Sequence, residues 1–300
     1  MRRVPERRMT SSAFVKFQRA ALLLFACVLA GCGVLTPRYD WEDRLRGNAV
    51  VLLGEVHDNA GQHRLRLAVL RRAFAAGWRP AIAMEQFDRE RQADLERARR
   101  ERPGDASHII ALATSPSSAS GSGWNWDFYR PFVELALEYD VPLVAANLSN
   151  ADTGKVARAG YGAVFAEATL AVLGLNAAIP PELQAAQERE IDTGHCHALP
   201  QSLWPAMVRA QFARDAVMAA VLREHALHGV VLLAGNGHVR RDIGVPRWLG
   251  ATERARAFSV GYLEGDGAQA PVMYFDAVVW TDAAPRPDPC AELMKRGKRP

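Results

Sequence analysis

Ala49-Val-Val-Leu-Leu53, running straight into Gly54-Glu-Val-His-Asp58, decides how the rest of the chain is read. Five apolar residues without alternation suit a strand buried on both faces, and an abrupt change to ionisable residues marks where that strand ends. The same grammar recurs three times. Pro80-Ala-Ile-Ala-Met84 leads into Glu85-Gln-Phe87, Val141-Pro-Leu-Val-Ala-Ala146 into Asn147-Leu-Ser149, and Gly229-Val-Val-Leu-Leu-Ala234 into Gly235-Asn-Gly-His238. Between these runs, 62–76 and 202–227 repeat apolar residues at helical spacing. Strands alternating with helices predict an α/β fold, a mostly parallel sheet flanked by helices on both faces. Two later β-rich runs, Ala257 to Leu263 and Val272 to Trp280, are expected to complete the sheet. The Ser- and Gly-rich stretch Ser115 to Gly123 reads as a mobile loop.

In open α/β sheets, ligands sit beyond the carboxyl ends of the strands. Glu55, His57, Asp58, Glu85, Asn147 and His238 all fall there. Glu55 and His57 are two apart on an extended segment and so are expected to face one cavity. With Glu85 and His238 they make two carboxylates and two imidazoles, a set suited to a divalent metal, acid–base work or a polar ligand rim. The competing structural reading has the glutamates capping helices and His57 satisfying a buried carbonyl. His63, Arg64 and Arg66 read as the solvated face of a helix.

The 300 residues carry 37 basic and 33 acidic side chains, but six of the basic ones and one acid lie in residues 1–31. Residues 32–300 therefore have a net charge of −1, which removes the support for nucleic-acid binding. The basic start, the eleven apolar residues Ala20 to Ala30 and the following Gly31-Cys32 read as a signal peptide, too short to span a bilayer. Leu29-Ala30-Gly31-Cys32 resembles the bacterial lipobox, which implies cleavage before Cys32 and its lipidation. Gly33, not Asp, favours the outer membrane, facing the periplasm. The organisation expected is a signal peptide at 1–31, a tether at 32–47, one α/β domain at 48–282 and a flexible tail at 283–300. Cys196 and Cys290 then remain; an oxidising compartment allows them to pair, and a metal or haem role for Cys196 competes. Gly194 and Pro200 place His195-Cys196-His197 in a loop.

Further short motifs occur in order: Gly54-Glu-Val-His-Asp-Asn59, Met84-Glu-Gln-Phe87, Trp124-Asn-Trp126 with Tyr129 and Pro131, Ala146-Asn-Leu-Ser149, His195-Cys196, Gln211 with Arg214-Asp215 and Met218-Ala219, and Gly235-Asn-Gly-His-Val-Arg240 with Gly244-Val-Pro246. Together, from about residue 48 to 262, they resemble the ChaN family of haem-binding, iron-regulated lipoproteins. The resemblance implies a fold related to erythromycin esterase, a homodimer holding haem between its subunits, and a supporting role in haem-iron uptake, with a haem-uptake receptor as a further partner. It also suggests tyrosine coordination of ferric iron. Among the six tyrosines, Tyr129 in its aromatic segment is the first candidate for the axial donor, with His195 and Cys196 as the others. Arg240 and Arg241 are candidates for the propionates, and His57 and His238 for the cofactor rim. The rival reading is a metal-dependent or acid–base hydrolase using Glu55, His57, Glu85 and His238, although no Gly-x-Ser-x-Gly motif is present.

Overall fold

The computed structural model describes residues 37–114, 124–265, 272–288 and 290–291. The chain divides into two units, residues 1–37 and 38–300, and the architecture is that of the second. Cys32, the leader and the Ser115 to Gly123 loop lie outside the described residues, as do all residues beyond Ala291.

The elements follow in the order β1 (Val50–Leu53), α1 (Ala60–Ala75), β2 (Ala81–Asp88), α2 (Gln92–Glu101), α3 (Ala106–Ala113), α4 (Trp126–Glu138), β3 (Leu143–Asn147), α5 (Asn150–Ala159), α6 (Glu167–Leu173), α7 (Pro181–Gly194), α8 (Trp204–His225), β4 (Val230–Leu233), α9 (Asn236–Val239), α10 (Ala251–Ala255), β5 (Ala257–Glu264) and β6 (Ala277–Thr281). The six strands form one sheet in the order β3-β2-β4-β1-β5-β6. Every pairing is parallel, with Val50 to Leu53 in register with Val230 to Leu233 on one side and Ala257 to Val260 on the other.

The unalternating apolar runs have the cause inferred for them, since each strand face has its own core. Val51, Leu53, Ile82 and Met84 join a cluster with Leu70, Phe74 and Phe132 from α1 and α4. Val50, Leu52, Ala83 and Val144 point the other way, onto Met218 and Leu222 of α8. A third cluster packs α5, α6 and α7 against the outer side of α8 through Val156, Leu173, Ile191 and Phe212.

Two sequence expectations change. The run Val272 to Trp280 is not one strand, because a short 3-10 turn occupies 272–274 and β6 starts only at Ala277. Asp276 interrupts it: its carboxylate accepts from the Ser259 amide and from Arg241, which ties this corner to β5. Residues Glu42–Gly47 of the expected tether form a 3-10 helix whose Leu45 is fully buried in the core. No helix among the described residues is long and apolar enough to cross a membrane.

The topology also locates a crevice. From β1 the chain leaves towards β2, and from the adjacent β4 it leaves towards β5, in opposite directions. The two connections cross on opposite faces of the sheet, and a cleft opens between them at the carboxyl ends of the pair. Glu55 and His57 follow β1, and Gly235 to His238 follow β4.

Candidate functional site

Backbone chemistry first brings the two loops together. A side chain at Gly54 would collide with the Asn236 carboxamide, so only glycine lets β1 pass under α9. Asn236 in turn bonds both the Tyr262 carbonyl, at 2.6 Å, and its amide, at 3.1 Å, fixing this loop to β5. At Gly235 a Cβ would stand 2.9 Å from the His57 Cε1 and 3.8 Å from a Glu85 oxygen, so the imidazole edge lies directly against the loop after β4.

Glu55 does not face the cavity. Its side chain is fully buried and forms an ion pair with the equally buried Arg66 of α1. Its other oxygen accepts from the Tyr129 hydroxyl at 2.6 Å and from His57 Nδ1 at 2.8 Å. The Arg66 guanidinium also donates to the Leu53 carbonyl at 3.2 Å and to His63 Nδ1 at 2.9 Å, and lies 5.3 Å from the Phe132 ring. Burial lowers the Arg66 pKa to about 10, which leaves it charged at neutral pH. His63 is buried, stacks on Phe128, and donates from Nε2 to the His57 carbonyl at 3.0 Å. Burial pushes its pKa down to about 4, so it is a neutral acceptor for Arg66, and its 3.5 Å approach to Glu55 is not an ion pair. His63 and Arg66 are thus the interior brace of Glu55, a correction to their reading as a solvated face.

The effect on His57 is specific. With Nδ1 donating to a buried carboxylate, the ring presents Nε2 as its free nitrogen, and the side chain remains 49% exposed. Trp124 meets the ring edge-on at 4.7 Å.

The second half of the site centres on His238. Its Nδ1 donates to Asp215 of α8 at 2.6 Å and its Nε2 lies 3.3 Å from Glu85. Glu85 also accepts from the Gly235 amide at 2.8 Å. Burial opposes charge on His238, but the two carboxylates outweigh it and raise its pKa to about 10. Burial opposes charge on Glu85 as well, and His238 overcomes it, holding Glu85 well below the usual carboxylate range. For Asp215 burial prevails, raising its pKa to about 6. Around them opens a polar cleft of about 340 Å³, lined by Glu85, Asp88, Trp124, Asn147, Asn150, Gln211, Arg214 and His238.

The other candidates stand elsewhere. Tyr129 is completely buried among Trp124, Trp126 and His63, and burial raises its pKa, so the phenolate that iron coordination needs is disfavoured and its hydroxyl belongs to Glu55. Cys196 is disulfide-bonded to Cys290, with Cα atoms 5.5 Å apart, and has no thiolate to offer a metal. His195 donates from Nδ1 to the Ile191 carbonyl at 2.7 Å, and His197 pairs with Asp192. Arg240 is held by Glu190 and Asp242 and Arg241 by Asp276, so neither cation is free for a propionate. Among the described residues no three His, Cys, Asp or Glu side chains are grouped as a metal site requires. Asp215, Gln211 and Arg214 carried no site role in the sequence. Their signal was a charged pair set between Phe212-Ala213 and Ala216-Val217, apolar neighbours that bury this stretch of α8.

Comparison with known proteins completes the picture. The family described as haem-binding uptake, Tiki superfamily, ChaN, matches residues 41–249. Among solved structures, ChaN of Campylobacter jejuni, whose description is cofacial haem binding, aligns at a TM-score of 0.60 and 21% identity, over 80% of this chain and 89% of that one. A mutant of the erythromycin esterase EreC in its open conformation aligns at 0.45 and 12% identity, over 77% and 75% of the two chains. The type III effector HopBA1 aligns at 0.44 and 10%, over 81% and 92%. No curated protein matches the sequence.

Proposed function

The chain belongs to the ChaN family of haem-binding uptake proteins, and from that premise we propose that it binds haem at the carboxyl edge of its sheet, with His57 as an axial nitrogen donor. The observation that carries the assignment is the His57–Glu55 pair. A carboxylate on Nδ1 fixes the tautomer and ring orientation, which is how ligand histidines are held. Arg66 and Tyr129 fix the carboxylate in turn, so Tyr129 acts behind the ligand. His195, fixed in the same way on a carbonyl, is the alternative donor.

Cofacial haem binding, as described for the Campylobacter protein, agrees with this picture. His57 would hold the haem from one side, and a second copy of the chain in a closed dimer would shield it from the other. Lipidation at Cys32, attachment to the outer membrane facing the periplasm, and delivery to a haem-uptake receptor belong to the same reading and rest on the lipobox-like sequence. A hydrolytic role for Glu55, His57, Glu85 and His238 is the weaker reading. A general base works best with a pKa near the operating pH, and His238, at about 10, is an imidazolium there.

Ferric haem titrated into residues 33–300 tests the proposal. A saturable Soret shift is expected for the natural protein and for Tyr129→Phe, with affinity lower by about 10- to 100-fold in His57→Ala. Undiminished affinity in His57→Ala, with loss in His195→Ala, transfers the ligand role to His195. Sedimentation of the loaded protein as a monomer refutes the shared haem.

A further inference from the structure

The polar cleft beside His57 contains a cation that makes no direct ion pair with a carboxylate among the described residues. Arg214 projects from α8 into it, half-buried. Its Nη1 donates to the Asn147 Oδ1 at 2.9 Å and its Nη2 to the Asn150 Oδ1 at 2.6 Å. Both acceptors are neutral, and no carboxylate forms an ion pair with Arg214 among the described residues. Arg240, Arg241 and Arg286 all make such pairs. Two of the five guanidinium N–H bonds are engaged by the asparagines, which fix the plane of the fork and leave the rest for a ligand.

The surroundings suit an anion in three further ways. Asn150 is the first residue of α5, so the positive end of that helix opens onto the cleft. His238, an imidazolium held between Glu85 and Asp215, also lines the cleft. The two acids on the wall are already engaged, Glu85 with His238 and the Gly235 amide, and Asp88 with a partner of its own. At about 340 Å³ the cleft is at the small end of ligand pockets, the size for one end of a molecule.

We propose that Arg214, braced by Asn147 and Asn150, is a receptor for an organic carboxylate. A planar fork held in place matches a carboxylate in the bidentate manner. Two sources carry this chemistry. One is a propionate of the haem bound at His57, since Trp124 borders both the His57 ring and the cleft; this source rests on the haem reading. The other is a small free carboxylate.

The test compares ferric protoporphyrin IX with its dimethyl ester, in the natural protein and in Arg214→Gln, Arg214→Lys and Asn150→Ala. Succinate is titrated in parallel, followed by the amide and indole signals of the cleft. Folding of each variant is checked by its melting curve. If propionate is the source, the natural protein prefers the diacid by about 10- to 100-fold. Arg214→Gln abolishes that preference by weakening the diacid alone, Arg214→Lys keeps part of it, and Asn150→Ala lowers it less. If a free carboxylate is the source, succinate shifts the Trp124 and Asn147 signals in the natural protein and not in Arg214→Gln, whether or not haem binds. Failure of haem binding together with a positive succinate response removes the haem reading and keeps the receptor. An unchanged diacid preference in Arg214→Gln, or no diacid preference and no succinate response in the natural protein, overturns the proposal.

Discussion

Replacing Arg66 by Met keeps roughly the same volume and removes the buried cation that pairs with Glu55. Deleting one partner of a buried ion pair costs about 3–5 kcal/mol, because the other charge is left in a poor solvent. Glu55 retains the Tyr129 and His57 hydrogen bonds, at 2.6 and 2.8 Å, which puts this part near the lower end. The Leu53 carbonyl and His63 Nδ1 also lose their donor, at about 1 kcal/mol each. The expected loss is therefore about 5 kcal/mol, which lowers the melting temperature by roughly 10–20 °C in a domain of this size. Adding Glu55→Gln neutralises the stranded carboxylate and should recover about 2 kcal/mol of that loss. Denaturant melts of both singles and the double form the cycle. A cost under about 1 kcal/mol for Arg66→Met, or a double variant equal to the sum of the singles, refutes the idea that a buried ion pair braces the site.

Three more perturbations have a stated direction, two from the structure and one from the lipobox-like sequence. His238 has its folded pKa raised from 6.5 to about 10, so its stabilisation is complete below pH 6.5 and is lost as pH rises through about 10. Melting temperature should fall across that window, at most about 1.4 kcal/mol per pH unit, and His238→Gln should flatten the fall; equal slopes in both proteins contradict the assignment. Asp215, raised from 3.8 to about 6, works in the same sense at lower pH, its stabilisation complete below 3.8 and lost as pH rises through about 6. The Cys196–Cys290 disulfide closes a separation of 94 residues, so Cys290→Ser should cost about 2–4 kcal/mol and abolish the response of the melting curve to reductant; a variant still sensitive to reductant contradicts the pairing. Cys32→Ser should release or misprocess the protein, read by mass spectrometry and membrane fractionation, and unchanged processing with retained membrane association contradicts lipidation.

The sheet was legible because its strands are buried on both faces, which leaves an apolar run that needs no tertiary knowledge to recognise. The crevice was legible for a related reason: a strand such as Val50–Leu53 ends abruptly at Gly54-Glu55, and the ends of several such strands fall on one edge. What stayed hidden was which polar residue goes inward. Arg66 sits among Leu65, Leu67 and Val69 in a helix with several arginines, and only the position of Glu55, reached through the fold, distinguishes it from Arg64. The alternation rule put Glu55 and His57 on one face, whereas the chain turns after Glu55, burying the carboxylate and leaving the imidazole at the surface. Tyr129 was singled out as an iron donor, whereas its hydroxyl serves Glu55, a carboxylate 74 residues away in the chain. Cys196 and Cys290 could be paired only by knowing that the loop after α7 meets the C-terminal segment.

The measurement that bears most directly on the central claim is near-infrared magnetic circular dichroism of the ferric haem complex, with electron paramagnetic resonance on the same sample. The account predicts the charge-transfer position and g-values of imidazole ligation, lost in His57→Ala and restored by added imidazole. A phenolate or thiolate signature, or an imidazole signature that persists unchanged in His57→Ala, contradicts it.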